Sequence, residues 1–440
     1  MTTEVIDARD GVARTVRETL GALGGRQFEP LPFTLRFWDG SSLPAAEGTS
    51  AAAHDSKRAP TVIVRDPLAL AHVVHEPNQV GLARAWVAGL LDADDLEALL
   101  ALRDRFRGLR LTVADRARLL MAAARVGGAR LLSRPPVPSI EAHVAGRRRS
   151  LARDRASVRH HYDVSNRFYG LVLGPSLVYS CAYFASPQDT LEVAQAQKLD
   201  LICRKLRLRA GERLLDVGCG WGSLVIHAAA HYGVDAVGVT LSHEQAELAR
   251  ERIASAGLAR RASVRVADYR EVDDGPYDKV ASVGMYEHVG RSQIPNYVRA
   301  VGSLLRPGGL FLNHGITRLR SQTPSGETFI TRYVFPDGEL HPLGDLMVGL
   351  HEAGFEARDV ETLREHYVLT LRGWLENLSR NRAEVLAEVG PERERAWRLY
   401  MLGSARAFEC GEISVYQVLA AREGAPPELP LGRRWACLAH

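Results

Sequence analysis

Between about residues 195 and 315 the sequence alternates between helix-like and strand-like segments, and this alternation constrains the fold more than any other feature. Apolar strand patterns in ERLLDVGCG, DAVGVTLS and ASVRVADYRE are separated by amphipathic helix patterns in SLVIHAAAHYG and HEQAELARERIASAG. A helix between two parallel strands provides the crossover that returns the chain to the sheet. The sequence therefore predicts an α/β domain with a mainly parallel sheet and helices on both faces.

A domain boundary is expected well before this region. The length of 440 residues favours two domains, and the proline-rich stretch SRPPVPS at 133–139 stops regular structure. Before it, LPFTLRFWDG and TVIV have strand patterns, whereas LARAWVAGLLDADDLEALLAL and ADRARLLMAAARV have helix patterns. We therefore expect a smaller N-terminal α+β domain over residues 1–140, a basic linker over 141–160, and the larger domain over 161–440.

Charge and cysteine content indicate which partners, metals and cellular compartment to expect for this chain. The formal net charge is +4, and nearly all basic residues are arginine, which suits phosphate and carboxylate partners. The five cysteines, at 181, 203, 219, 410 and 437, show neither a metal-ligand spacing nor a disulfide framework. With no apolar run approaching ~20 residues and no signal-peptide pattern in MTTEVIDARD, we expect a cytoplasmic protein without a metal.

A run of arginines lies in GRRRSLARDRASVRHHYDVSNRFY, where the expected linker meets the larger domain. Two interpretations remain open, a solvated linker and a patch for anionic lipid headgroups. Contact with nucleic acid has less support because no nucleic-acid-binding motif accompanies the run, and we expect no such partner. The arginines are Arg147, Arg148, Arg149, Arg153, Arg155 and Arg159.

The segment LLDVGCGWGS, at 214–223, combines a strand with a glycine-rich turn that opens a helix. Gly218, Gly220 and Gly222 let the backbone approach a ligand closely. The turn alone fits a dinucleotide, an adenosyl compound or no ligand at all. Asp216 precedes the first glycine, and its negative charge there disfavours a phosphate and favours a cation.

The ends of the next two strands support an adenosyl ligand. Asp268 and Tyr269 end the third strand, where they fit the edge and face of an adenine. The second strand ends in GVTLSHEQ, which has Thr240, Leu241 and Gln245 instead of the ribose-binding acid common in such folds. Together these features resemble the class I S-adenosylmethionine-dependent methyltransferases, which implies a Rossmann-like fold.

Four motifs indicate a narrower family. They are RHHYDVSNRFYGL, YSCAYF, GVTLSHEQ and YVFPDGEL, in this order. Over about 155–420 the chain resembles the cyclopropane-fatty-acyl-phospholipid synthase family, including its mycolic-acid-modifying members. Residues 1–140 resemble the extra domain of the phospholipid-acting members, which implies a lipid-binding or assembly role for that domain.

The resemblance implies two cofactors, S-adenosyl-L-methionine (SAM) and a bicarbonate ion beside its sulfonium. Taken singly, Cys181 fits a small core residue and His314 a strand histidine, and only the set in register with the family motifs indicates an ion site. The implied ligands of bicarbonate are Cys181, Glu287, His314, the backbone of Ile316, and Tyr367. The implied contacts of SAM are Tyr179, Ser180, Asp216, Gly218, Gly220, Thr240, Leu241, Gln245, Asp268 and Tyr269.

The implied reaction is methyl transfer to the cis double bond of an unsaturated acyl chain on a phospholipid. An alkene is a weak nucleophile, so the methyl donor must be held close in a dry site. Attack leaves a carbocation, which aromatic faces stabilise, and the bicarbonate then acts as the base that removes a proton. The candidate aromatic residues are Tyr162, Phe168, Tyr169, Phe184, Tyr286, Tyr333 and Phe335.

The sequence leaves two products open. Proton loss with ring closure gives a cyclopropane, whereas a hydride shift before proton loss gives a 10-methylene chain that a separate reductase would saturate. The segment RLYMLGSARAFE, with Ser404 where many synthases have a cysteine, looks more like the subgroup that forms the methylene product.

The stretch 317–380 is long for a connection, and we expect a helical cover over an acyl tunnel there, with ordinary helix packing as the alternative. The expected tunnel residues are Phe329, Val334, Phe335, Leu343 and Met347. The basic segment would then lie against headgroups on the inner face of the plasma membrane, as a peripheral contact.

The sequence leaves the oligomeric state open, including a homo-oligomer. Two competing functions are a SAM-dependent methyltransferase for a soluble nucleophile and a non-catalytic lipid-binding protein.

Overall fold

The computed structural model describes most of the chain and divides it into two compact units. The described residues are 11–23, 31–46, 58–106, 112–142, 146, 150, 153, 164–319 and 327–432. The smaller unit comprises Met1–Ala142, Gly326–Val334 and Val389–Arg406, and the larger unit comprises His143–Ser325, Phe335–Glu388 and Ala407–His440. Two segments that the sequence placed in the larger domain, 326–334 and 389–406, thus belong to the smaller unit.

Both units contain helices and strands in the part of the chain that the structure describes. The strands are β1 (Thr34–Arg36), β2 (Ser42–Leu43), β3 (Thr61–Val64), β4 (Leu91–Ala93), β5 (Arg213–Val217), β6 (Asp235–Thr240), β7 (Ala262–Val266), β8 (Tyr277–Val283), β9 (Leu305–Arg318), β10 (Phe355–Thr362) and β11 (Ile413–Arg422). The helices are α1 (Val12–Ala22), α2 (Leu68–His75), α3 (Gln79–Val87), α4 (Leu96–Ala101), α5 (Val113–Gly127), α6 (Asn166–Leu173), α7 (Leu191–Lys205), α8 (Ser223–Tyr232), α9 (His243–Ser255), α10 (Tyr286–Val289), α11 (Ile294–Leu304), α12 (Phe329–Tyr333), α13 (Leu343–Glu352), α14 (Arg364–Arg380) and α15 (Arg382–Glu409), the last interrupted at Gly390.

The smaller unit contains a four-stranded mixed sheet in the order β2-β1-β3-β4. The central strands β1 and β3 pair in parallel. The edge strand β2 pairs antiparallel with β1, and the edge strand β4 pairs antiparallel with β3. The core against this sheet includes Phe37, Val64, Ala69 and Ala85. Because apolar burial is the main stabilising term, this cluster gives the smaller unit a core of its own.

The single helix that LARAWVAGLLDADDLEALLAL suggested is wrong. Helix α3 ends at Val87, β4 occupies Leu91–Ala93, and α4 starts at Leu96. Gly89 adopts φ 74° between the first two elements, a left-handed conformation that glycine takes without steric cost. Asp95 then caps α4 by accepting a hydrogen bond from the N–H of Ala98.

The larger unit confirms the predicted α/β fold. Its seven-stranded sheet has the order β10-β11-β9-β8-β5-β6-β7. The pairs β9–β8, β8–β5, β5–β6 and β6–β7 are parallel, whereas β11 lies antiparallel between β9 and β10. Strand order reverses at β5, which has β6 on one side and β8 on the other. In open parallel sheets ligands bind beyond the carboxyl ends of the strands at such a reversal.

Apolar clusters cover both faces of this sheet. One, between the sheet and helices α7, α8 and α9, includes Ile202, Val225 and Ala249, and the other, under α11 and α13, includes Val298 and Leu350. In the described residues, none of the helices combines the length and apolar character that a membrane crossing needs.

Candidate active site

The carboxyl end of β5 leads into a glycine turn that forms the floor of a cavity. Gly218 and Gly220 adopt φ 80° and 54°, and α8 begins at Ser223. A Cβ added to Gly218 would lie 3.1 Å from Cγ of Met285. The turn therefore needs glycine both for its left-handed backbone and for this close approach.

Around this turn lies a cavity of about 190 Å³, which we call the glycine-loop cavity. All ten residues that the sequence assigned to SAM contribute to its lining, and all belong to the larger unit. They come from the ends of β5, β6 and β7, the turn after β5, the start of α9 and the segment before α7. These ten residues are Tyr179, Ser180, Asp216, Gly218, Gly220, Thr240, Leu241, Gln245, Asp268 and Tyr269.

Hydrogen bonds within the chain orient several polar groups of the cavity. The hydroxyl of Thr240 donates to Oε1 of Gln245 at 2.7 Å, and Ser242 caps α9 by accepting from the N–H of Gln245. The carboxylate of Asp268 accepts from the guanidinium of Arg270, with both contacts at 2.7 Å. Asp268, the residue expected to bind an adenine edge, is therefore already paired with Arg270. The sequence did not indicate this pairing.

Lys198 of α7 also lines the cavity, and sequence reasoning missed it. Its ammonium donates to the hydroxyl of Ser180 at 2.9 Å. Burial lowers the pKa of Lys198 to about 8, although the nearby carboxylate of Asp216 acts in the opposite direction. Burial raises the pKa of Asp216 to about 7, against the effect of Lys198. A signal was present, since Lys198 is one of only four lysines in an arginine-rich chain.

Glu287 follows β8 on the short helix α10. Its Oε1 accepts the backbone N–H of Ile316 at 2.7 Å. Its Oε2 is buried and has no hydrogen-bond partner among the described residues. Burial raises the pKa of Glu287 to about 7. The N–H of Ile316, which the resemblance suggested for an ion, is thus donated to Glu287.

His314 lies on β9, on the same face of the strand as Ile316. Its Nδ1 is 3.2 Å from the side-chain amide nitrogen of Gln417, the residue paired with it on β11. When this amide nitrogen donates to Nδ1, the proton of a neutral imidazole lies on Nε2. That Nε2 is buried without a partner among the described residues. Burial, with the positive charges of Lys198 and Lys205, holds the pKa of His314 well below its usual value.

The thiol of Cys181 and the backbone N–H of Tyr367 contact the same carbonyl, that of Leu363. The thiol of Cys181 lies 3.6 Å from this oxygen, and the N–H of Tyr367 donates to it at 3.1 Å. The N–H of Leu363 in turn donates to Val415, which pairs with Ile316 across β11 and β9. Burial raises the pKa of Cys181, so its thiol is neutral at ordinary pH.

We call Cys181, Glu287, His314, Ile316 and Tyr367 the Glu287 cluster. The contacts above link four of them through Leu363 and Val415, and His314 lies two residues from Ile316 on one strand face. The lining of the glycine-loop cavity, as far as the described residues go, comes from other side chains, including Met285 and His288 beside Glu287.

The aromatic candidates occupy several different environments. Tyr169 is buried, with ring centroids 5.6 Å from Tyr179 and 4.7 Å from Trp221 of the cavity, and Phe168 packs against it. Phe335 lies 5.7 Å from the cavity residue His288, Tyr286 contacts His341, and Phe184 contacts His366. Tyr333 belongs to the smaller unit and donates its hydroxyl to Glu141 at 2.8 Å. Tyr162 lies outside the described residues.

The expected tunnel residues also divide between different environments. Phe329 stacks on Tyr333 in the smaller unit, to which Val334 belongs as well. Leu343 and Met347 of α13 pack against the core beneath β8 and β9, in accordance with the helix-packing alternative. Sequence reasoning also missed Trp374, whose buried ring lies 5.3 Å from Tyr179 and 6.1 Å from Tyr367.

Comparisons with known proteins support the same assignment. The family model described as mycolic acid cyclopropane synthetase matches residues 149–418. A probable fatty acid methyltransferase of Mycobacterium tuberculosis is 40% identical over 92% of this chain and 95% of its own length. The cyclopropane-fatty-acyl-phospholipid synthase of Escherichia coli is 35% identical over 60% of this chain and 67% of its own. The solved mycolic acid cyclopropane synthase CmaA1, complexed with SAH and CTAB, is 34% identical, with a TM-score of 0.58 over 61% of this chain and 98% of that one.

Proposed function

Because this chain belongs to the mycolic acid cyclopropane synthetase family of SAM-dependent methyltransferases, we propose that it methylates the cis double bond of an unsaturated fatty acyl chain on a phospholipid. The observation that carries the proposal is the arrangement at the carboxyl edge of the larger sheet. There the glycine-loop cavity adjoins the Glu287 cluster through the neighbouring pairs Ser180–Cys181 and Glu287–His288.

The glycine-loop cavity fits SAM. The turn at Gly218 and Gly220 allows close approach of an adenosyl ligand, and Thr240 and Gln245 present paired polar groups at the end of β6. Asp216 has a buried Oδ1 without a partner among the described residues, which suits a cationic ligand. When bound, SAM supplies an electrophilic methyl group on a positively charged sulfur.

The Glu287 cluster fits a small oxyanion such as bicarbonate. Nε2–H of His314 is a buried donor without a partner, and Oε2 of Glu287 is a buried oxygen without one. Because its pKa is near 7, the carboxyl of Glu287 can be protonated at neutral pH. It can then donate a hydrogen bond to an oxygen of the oxyanion instead of repelling it. A bound bicarbonate supplies a base for the proton lost after methyl transfer.

The chain itself contributes orientation, water exclusion and placement of protons. Buried Cys181 and Tyr367 stay neutral hydrogen-bonding groups, and Gln417 fixes the imidazole proton of His314 on Nε2. A carbocation in the acyl chain is stabilised in such a site by aromatic faces, and Tyr169 and Phe335 are the predicted aromatic residues that touch cavity-lining side chains.

We propose the 10-methylene product over the cyclopropane. Ser404 and its surrounding segment favour it, and the relative that matches along 92% of this chain is named a fatty acid methyltransferase. The named cyclopropane synthase of Escherichia coli matches over 60%. A separate reductase would then be needed to saturate the product.

The proposal also includes peripheral action at the inner face of the plasma membrane. Six arginines over 147–159 provide charge for anionic headgroups. Of these, only Arg153 lies within the described residues, where its guanidinium pairs with Asp337. We expect binding to anionic vesicles to weaken as salt is raised. We also propose that residues 1–140 serve lipid binding or assembly, that 317–380 forms a cover, and that the protein forms a homo-oligomer.

Methyl-labelled SAM tests the proposal directly. The protein is incubated with vesicles of unsaturated phospholipid, with matched saturated vesicles, and with a panel of soluble amines and phenols. We expect label in the unsaturated lipid only, as one added CH2 unit per acyl chain. Mass spectrometry after derivatisation then separates ring and methylene isomers. Label in the soluble panel would support the competing methyltransferase function, and failure to bind SAM would support a non-catalytic lipid-binding protein.

A further inference from the structure

Among its own residues the Glu287 cluster contains no cation that would balance an oxyanion, and the sulfonium of SAM loses its charge when the methyl group leaves. The thiol of Cys181 and the phenol of Tyr367 are neutral groups, and burial holds the pKa of His314 so low that its imidazole is neutral as well. Glu287 is neutral or negative, and Ile316 contributes backbone only. An anion in this low-dielectric region is strongly disfavoured without a compensating positive charge nearby.

We infer that Lys198 is a positioning residue whose ammonium supplies this positive charge and holds the oxyanion beside Cys181 and His314. The inference rests on the proposed function, because it concerns the ion of that same site. Lys198 is 2% exposed and donates to Ser180, the residue directly before Cys181. It therefore lies at the junction of the glycine-loop cavity and the Glu287 cluster.

The charge of Lys198 acts on the cluster itself. Burial raises the pKa of Cys181, against the effect of Lys198, and burial lowers the pKa of His314, with Lys198 acting in the same direction. Asp216, the carboxylate that interacts with Lys198, lines the same cavity.

The other buried lysines of the described chain are occupied elsewhere. Lys205 lies between two carboxylates, 3.3 Å from Asp359 and in hydrogen-bond contact with Glu361. Lys279 pairs with Glu212 at 3.6 Å, near the amino end of β8 and away from the carboxyl edge. Among the three, Lys198 is the lysine whose ammonium contacts a hydroxyl next to Cys181, and Asp216 is the carboxylate whose charge acts on it.

The test measures ion binding without turnover. Protein saturated with SAH is titrated near neutral pH with ¹³C-labelled bicarbonate, and the dissociation constant is taken from the ¹³C NMR line width. We expect Lys198→Met, which keeps the length of the side chain and removes its charge, to weaken bicarbonate binding about tenfold or more, or about 1.4 kcal/mol. Methyl transfer by Lys198→Met should recover as bicarbonate is raised.

Two matched variants separate the charge of Lys198 from general effects. Lys279→Met removes another buried lysine outside the site and should leave the dissociation constant for bicarbonate within about threefold of wild type. Asp216→Asn removes the carboxylate that raises the pKa of Lys198, so it should weaken SAM binding and also weaken bicarbonate binding, though less than Lys198→Met does. If Lys198→Met alone fails to fold, the double variant Lys198→Met/Asp216→Asn leaves no unpaired buried charge and should show the same loss of bicarbonate affinity.

The outcomes distinguish this inference from the proposed function. If wild type methylates unsaturated lipid and binds bicarbonate, and Lys198→Met binds the ion equally tightly, the inference about Lys198 fails alone. If wild type methylates lipid but does not bind bicarbonate, the ion site and the role of Lys198 both fail. If wild type methylates only soluble compounds, the proposed function fails on independent grounds.

Discussion

The glycine-loop cavity and the Glu287 cluster lie at the same edge of one sheet but are built in different ways. In the cavity, Oδ1 of Asp216 is buried without a partner among the described residues, but other polar side chains are paired within the chain, as with Thr240 and Gln245 or Asp268 and Arg270. In the cluster, Oε2 of Glu287 and Nε2 of His314 are buried without partners among the described residues. Buried polar atoms are rarely left unsatisfied. We infer that the cavity holds a large ligand, whereas the unpartnered atoms of the cluster are available to hydrogen-bond a small one.

Replacing Glu287 by Gln would test this comparison with the largest expected effect. The amide keeps the size of the carboxyl group but cannot exchange the proton that positions a base. We expect product formation to fall about 10²–10⁴-fold, while the SAH dissociation constant from calorimetry stays within about threefold. Unchanged turnover would show that the cluster does not take part in the reaction, and a parallel loss of SAH affinity would show that the two regions are not separable.

The pH dependence of stability tests the burial of Glu287 itself. Its pKa is raised from 4.5 to about 7 in the folded protein, so the folded state binds the proton more tightly than the unfolded state does. The free energy of unfolding of wild type should therefore fall as pH rises from about 4.5 to 7, by up to about 3 kcal/mol from this group. Glu287→Gln lacks this term and should gain stability relative to wild type over that range, as measured by denaturant unfolding in bicarbonate-free buffer. Parallel curves for the two proteins would contradict the buried carboxyl.

Gly218→Ala tests the shape of the cavity. The new Cβ adds backbone strain at φ 80° and meets Met285 at 3.1 Å, so we expect the SAH dissociation constant to rise about tenfold, with a stability loss of about 1–2 kcal/mol. Gly211→Ala is the matched control, because Gly211 has φ 83° but open space around its Cβ position. Equal SAH affinity in both variants would show that the close approach at Gly218 is unimportant.

The smallest expected effect is that of Gln245→Ala. It removes one buried hydrogen bond from the cavity, which should weaken SAH binding about three- to tenfold, or about 1 kcal/mol, and leave bicarbonate binding unchanged. Glu247→Ala, at an exposed position on the same helix, should change neither affinity. A bicarbonate effect of Gln245→Ala would remove the distinction between the two regions.

The sequence predicted the cavity better than its surroundings for a physical reason. The turn at Gly218 and the strand ends at Thr240 and Asp268 follow from local patterns of strand, turn and helix, and all ten expected residues line one cavity. Lys198 was missed because a helix pattern does not show which of its charged residues faces inward at a strand end, and the rarity of lysine in this chain was its only signal. The role of Gln417 in fixing His314 depends on β11, whose pairing with β9 joins residues about 100 positions apart.

The same limit explains the errors outside the site. The break at Gly89 was missed because the apolar pattern of 82–102 continues across it, while backbone conformation at one glycine decides the outcome. The membership of 326–334 in the smaller unit depends on long-range contacts such as that between Tyr333 and Glu141. Neither the break at Gly89 nor the contact between Tyr333 and Glu141 has a local sequence signal.

The position of β11 between β9 and β10 affects how the enzyme is made. Every described residue that lines the glycine-loop cavity precedes residue 338, whereas Gln417 and Val415 arrive later in synthesis, at rates that leave an interval on the order of ten seconds. The described cavity residues are therefore all synthesised before the strand that supports His314. Contact between Gln417 and His314 depends on this last strand inserting between two earlier ones, a non-local pairing.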